Sequence, residues 1–145
     1  MMKTAYEDDI AAWAQEQAQL LRAGQLGLID AEQIAEELIG LSLSERCGIA
    51  SRFVVLLQHL LKWQYQPERR GASWRNTIRV QRRAIERILK RTPSLHRLLD
   101  DPEWQEENWD DAVDRTARET GLDPATLPER CPWSVAQLRD EQFLP

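Results

Sequence analysis

The sequence is poor in the side chains from which most active sites are built. It has two histidines and two cysteines in 145 residues, and neither type is clustered. Cys47 and Cys131 stand far apart with no Cys-x-x-Cys pair, so neither a thiolate metal site nor a disulfide framework is available. Two plain buried thiols in a reducing cytoplasm are expected instead. A His-Glu-x-x-His zinc site needs two histidines one helical turn apart, and a di-metal bundle needs Glu-x-x-His pairs on two helices. The residues three before His59 and His96 are Leu56 and Pro93, so no metal and no cofactor is expected. The six glycines are dispersed and none forms the strand-to-helix turn of a phosphate-binding loop. The densest apolar stretch, Phe53 to Leu61, is interrupted by Gln58 and His59, far short of the ~20 residues a membrane span requires. The opening residues Met-Met-Lys-Thr-Ala-Tyr-Glu-Asp-Asp lack the features of an export or organelle signal, which again points to a cytoplasmic location. Runs of alternating apolar residues, the mark of strands, are missing too.

What is present is enough for one folded unit. With 42% hydrophobic and 30% charged residues, a chain of this length suits a single helical domain over residues 1–145. Its net charge of −5 conceals a strong segregation. Residues 1–61 carry four bases against nine acids, residues 62–97 eleven bases against two acids, and residues 98–145 four bases against thirteen acids. A basic middle of +9 therefore lies between ends of −5 and −9.

Periodicity predicts an all-α, compact multi-helix bundle with short, proline-punctuated C-terminal helices. Thr4 and Glu7 have capping-box spacing, followed by a stripe of Ile10, Trp13, Ala14, Gln17, Leu20 and Leu21 that Gly24 ends. Asp30 with Gln33 opens a second helix, with Gly40 marking its end and Ser42 with Glu45 capping a third. That third helix, about 43–65, carries Ile49, Phe53, Leu56, Leu57, Leu60, Leu61 and Trp63 on a wide arc suited to the centre of a core. Gln58, His59 and Lys62 occupy the remainder. A fourth helix runs from near Ser73 to about Arg91. At 100° per residue, Arg75, Arg79, Arg82, Arg83, Arg87, Lys90 and Arg91 fall in one half and Trp74, Ile78, Ala84, Ile85, Ile88 and Leu89 in the other. Thr92-Pro93 and Asp101-Pro102 read as N-cap and first position of two further helices, the second ending at Gly121 and bearing acids from Glu103 to Asp114. The tail breaks at three prolines and ends with one or two turns from Ser134 to Asp140.

One segment is unusual in composition. Between Gln58 and Ile78, His59, Trp63, Tyr65 and Trp74 interleave with Lys62, Arg69, Arg70 and Arg75, a mixture able to contact phosphate and stack on bases. The same residues serve a structural role equally well, with Trp63 and Trp74 anchoring the corner between two helices and Arg69 and Arg70 capping or pairing with acids. The basic fourth helix has two possible uses of the same kind: pairing with the acidic sixth helix, or facing a partner.

The residues His-Leu-Leu-Lys-Trp-Gln-Tyr-Gln-Pro-Glu-Arg-Arg (59–70), Ser-Trp-Arg-Asn-Thr-Ile (73–78) and Gln-Arg-Arg (81–83) resemble a bacterial family known as a domain of unknown function, number twenty-nine. Tyr-Glu-Asp-Asp (6–9), Trp13, Leu20-Leu21-Arg22, Glu36-Glu37, Cys-Pro-Trp (131–133) and Asp-Glu-Gln-Phe-Leu-Pro (140–145) extend the resemblance over nearly the whole chain. It implies an all-helical cytoplasmic bacterial protein and assigns no activity. The expectation is thus a non-enzymatic module that holds a partner protein through His59, Trp63, Arg69, Arg70 and Trp74, together with Arg75, Arg79, Arg82 and Arg83 on the fourth helix. RNA or DNA binding through that arginine face is the first alternative. An enzyme acting on a small anion, with His59 as acid or base and Arg69 or Arg75 as clamp, is the second.

Overall fold

Helices supply most of the backbone hydrogen bonds among the described residues. The computed structural model describes residues 3–145, and among them all regular structure is helical: α1 (Ile10–Arg22), α2 (Ala31–Tyr65), α3 (Ala72–Arg91), α4 (His96–Leu99), α5 (Pro102–Thr120) and α6 (Val135–Arg139). Pro67, Pro93 and Pro124 each open a short 3-10 turn between them, since a proline at the first helical position gives up no hydrogen bond that the turn would use. No described helix is long and apolar enough to cross a membrane.

The capping residues explain most boundaries. Asp101 and Ser134 accept from backbone N–H groups of the turns they open, and Ser134 forms a full capping box with Gln137. Gly121 ends α5 at φ 77°, a left-handed conformation that costs any other residue. Three boundaries differ from expectation. Asp9, not Thr4, caps α1; Thr4 instead reaches forward, its backbone N and hydroxyl both donating to the Glu16 carboxylate at 2.9 and 3.1 Å. The expected break at Gly40 and cap at Ser42 do not occur, and the second and third expected helices form the single 35-residue α2. A glycine inside a helix costs only about 1 kcal/mol, less than the hydrogen bonds a break would forfeit. Finally, α3 begins at Ala72 on a Gly71 cap that offers no side-chain oxygen.

The chain forms two compact units, one reaching Ser44 and one from Glu45 to Pro145. In the first, Tyr6 stacks edge-on against Trp13 at 5.1 Å and donates its hydroxyl proton to Glu37, while the Trp13 indole N–H points to Asp30 at 3.4 Å. Trp13 is its only buried apolar side chain among the described residues, and Leu26, Leu28, Leu38, Ile39, Leu41 and Leu43 are more than half exposed. The second unit holds the core. Ile49, Phe53, Leu56, Leu57, Leu60 and Leu61 of α2 pack with Ile78, Ile85 and Leu89 of α3, Leu98 and Leu99 of α4, Trp109 of α5 and Leu138 of α6. Aromatic rings join the tail to this core: Trp109 meets Trp133 at 5.7 Å and Trp133 meets Phe143 at 6.4 Å. Cys131 is half-buried, but Cys47 is exposed, contrary to the expectation of two buried thiols. It lies about 160° around α2 from Ile49 and about 180° from Leu56, on the side away from the core.

Candidate functional site

The end of α2, the Pro67–Arg69 turn and the start of α3 bring the aromatic and basic residues of positions 59–75 together. Their arrangement is largely inward. Trp63 is 5% exposed, and the guanidinium carbons of Arg70 and Arg75 each lie 5.2 Å from its ring centroid, within cation–π range. Arg70 also donates through Nε to the Trp63 carbonyl at 2.6 Å, serving one of the acceptors that the last turn of a helix leaves open. Lys62, expected on the polar remainder of its helix, is 5% exposed. Its ammonium is held by the ring of Trp74 at 5.2 Å and by Glu119 of α5 at 2.9 Å. A buried cation needs such partners, because losing water without them is expensive. The ammonium in turn holds the Glu119 carboxyl below its usual range.

His59 sits one turn before Trp63 and shares this neighbourhood. Its Nδ1 lies 2.9 Å from the Val55 carbonyl; a carbonyl only accepts, so Nδ1 carries the proton and Nε2 the lone pair. Burial lowers the imidazole pKa, against the carbonyl bond that raises it, with Lys62 lowering it further. The charged groups bearing on it are Lys62 and Glu119. Arg69 is exposed on the turn.

The arginines of α3 divide by their partners. Arg82 is 2% exposed, and its fork donates to the carbonyls of Leu138 at 2.8 Å, Phe143 at 2.8 Å and Gln137 at 3.3 Å. It therefore does not belong to the exposed basic face on which the sequence placed it. Its position borders the apolar stripe of Ile78 and Leu89 on the helix, so a small rotation turns it inward. Arg83 pairs with Glu141 at 3.1 Å and Arg91 with Glu45 at 3.1 Å. Glu86, on the same helix, receives Arg139 at 2.7 Å, which draws its pKa down. Arg79 donates to Asn76 at 2.7 Å. Among the described residues, Arg75, Arg79, Arg87 and Lys90 have no carboxylate within ion-pair distance. Arg75, Arg79, Arg83, Asn76, Glu141 and Gln142 border an open depression of about 640 Å³.

Charge segregation does not lead to pairing between the basic and acidic helices. On α5, Asp111 pairs with Arg115 and Asp114 with Arg118, each one turn along the same helix. Among the described residues no ion pair joins α3 to α5, and no three His, Cys, Asp or Glu side chains are placed to hold a metal ion. Sequence reasoning did not find Glu119, whose role depends on a contact 57 positions away from Lys62. Nor could it find the carbonyls that receive Arg82, since backbone acceptors leave no trace in residue identity.

No curated protein and no solved structure matches this chain. A family model, however, matches residues 5–144, a span that takes in both units, the α2–α3 corner and the tail that receives Arg82. The protein belongs to the family described as Domain of unknown function DUF29.

Proposed function

We propose that the protein is a non-enzymatic binding module that holds an acidic segment of a partner protein on the exposed face of α3. The observation that carries this reading is the set of exposed cations Arg75, Arg79, Arg87 and Lys90 lying along one helix without carboxylate partners among the described residues. A row of uncompensated cations attracts and orients an oppositely charged surface. Protein is favoured over nucleic acid because the aromatics of the corner are used internally. Trp63 is buried, and Trp74 is half-buried against the core with the Lys62 ammonium over its ring, so both rings are engaged internally rather than free for base stacking. An enzyme built on His59 is disfavoured, since the charges around it come from Lys62 and Glu119 rather than from an arginine clamp. The unpaired thiols of Cys47 and Cys131 suit a reducing cytoplasm.

The test uses the full chain immobilised and exposed to host extract with and without nuclease treatment, beside an Arg79→Glu/Arg87→Glu/Lys90→Glu variant. These three side chains are exposed, so the variant is expected to unfold at the same temperature as the parent. Acidic proteins retained by the parent and lost from the variant are the expected result. Capture that disappears with nuclease treatment would assign the face to nucleic acid, whose binding also falls steeply with salt. Equal retention by both chains would remove α3 from consideration.

A further inference from the structure

The first stretch of α2 carries a surface opposite in character to the α3 face. Glu32, Glu36, Ile39 and Leu43 recur there at i, i+4, i+7 and i+11, which at 100° per residue places them within about 60° of one another around the helix. All four are exposed, Ile39 by 57% and Leu43 by 51%. Among the described residues no cation lies within ion-pair distance of either glutamate, so two like charges one turn apart go unrelieved. Residues 1–44 are acidic as a whole, with two bases against eight acids. They are also short of burial. Of the ten large apolar side chains left exposed among the described residues, eight belong to this unit, and a segment of about 40 residues with so small a core needs further cover, for which oligomerisation is a usual source.

On α3, Arg79, Lys90, Arg87 and Val80 fall within about 100° of arc. The three cations are exposed and free of carboxylates, and Val80 beside them is 43% exposed. We propose that the acidic segment held on α3 is residues 32–43 of a second copy of this chain, so that the protein is a two-fold dimer in which each copy lays its α2 strip on the other's α3. This rests on the reading of α3 given above and names its partner. A two-fold axis makes the contact twice. In each, Glu32 and Glu36 meet the cations, while Ile39 and Leu43 meet Val80 and the aliphatic stems of the arginines. A second copy thus covers both surfaces on one rotation, whereas an unrelated acidic protein would cover α3 and leave Ile39 and Leu43 bare.

Light scattering on the full chain reads the mass directly. The parent is expected to run at twice the chain mass and to shift toward a single chain as salt rises, because the contact is partly ionic. Two charge reversals divide the interface: Glu32→Lys/Glu36→Lys on α2 and Arg87→Glu/Lys90→Glu on α3. Each alone sets like charges against each other in both contacts and is expected to raise the dimer dissociation constant at least about tenfold. Mixed in equal amounts, they are expected to pair again, since one reversed strip then meets the reversed α3 and the other contact is native. All four side chains are exposed, and thermal melting checks that both variants fold; if one does not, the mass of the parent and its response to salt decide. A parent that scatters as one chain up to its solubility limit, a dimer indifferent to salt, or a mixture that pairs no better than either folded variant alone would overturn the proposal. A single-chain parent that still loses acidic proteins from extract when α3 is reversed would leave the reading of α3 standing and remove the second copy as its occupant.

Discussion

Arg82 shows how a single side chain can be assigned to the wrong surface by charge alone. Three backbone carbonyls from the last nine residues converge on its guanidinium, an arrangement that a planar fork satisfies and an ammonium does not. Replacing it with Met removes the donors and leaves buried acceptors unserved, at an expected loss of about 2–4 kcal/mol in urea unfolding. Arg82→Lys is expected to recover little of that loss. His59 makes a different test. Its folded pKa is lowered by burial from an ordinary value of about 6.5, so the unfolded chain binds the proton more readily. The stability that neutral His59 contributes is present above pH ~6.5 and is lost as the pH falls through the folded value. The melting temperature should therefore decline below pH ~6.5, and His59→Gln should flatten that decline. Glu119 adds its own loss at lower pH, because Lys62 holds its carboxyl below the ordinary range, and the two are separable by window. The candidate site was legible in the sequence as a set of positions: 59, 63, 70, 74 and 75 do gather at one corner. Their orientation was not, because which face of Trp63 meets solvent depends on Arg70 and Arg75 closing over it.

At the scale of elements, local signals held at some boundaries and failed at others, for Thr4 and Ser42 have capping-box spacing and cap no helix. The Asp101-Pro102 opening and the Gly121 stop depend on contacts within four residues and occur as expected, and the expected last turns from Ser134 to Asp140 form on a Ser134 cap. Gly40 was misread because a glycine lowers helix stability without forbidding the helix. The two glycines predict opposite outcomes for one substitution. Gly40→Ala, in an open helical position with nothing near the added methyl, is expected to raise stability by about 0.5–1 kcal/mol. Gly121→Ala, held at φ 77°, is expected to lower it by about 1–2 kcal/mol. Thermal unfolding of the two variants measures both, and a stabilised Gly121→Ala protein would contradict the left-handed cap.

For the whole molecule, the distribution of buried apolar side chains is uneven. Nearly all of them lie after residue 45, and Trp13 alone represents the preceding unit among the described residues. Segments of about 40 residues rarely bury enough surface to fold alone. Residues 45–145, expressed separately, are expected to unfold cooperatively with an intact near-ultraviolet tryptophan signal, whereas residues 1–44 are expected to show none. A fragment 45–145 that melts without a transition would mean that the division into units has no energetic counterpart. The helical class, the proline and aspartate boundaries, the segregation of charge and the family were determined by the sequence itself, because each rests on composition or on interactions within one or two turns. The tertiary structure decided which cations stay free. It buried Lys62 against Glu119, spent Arg82 on the tail and left Arg79, Arg87 and Lys90 exposed. Those outcomes depend on residues and carbonyls brought together from 50 or more positions apart, and helical periodicity carries no information at that range.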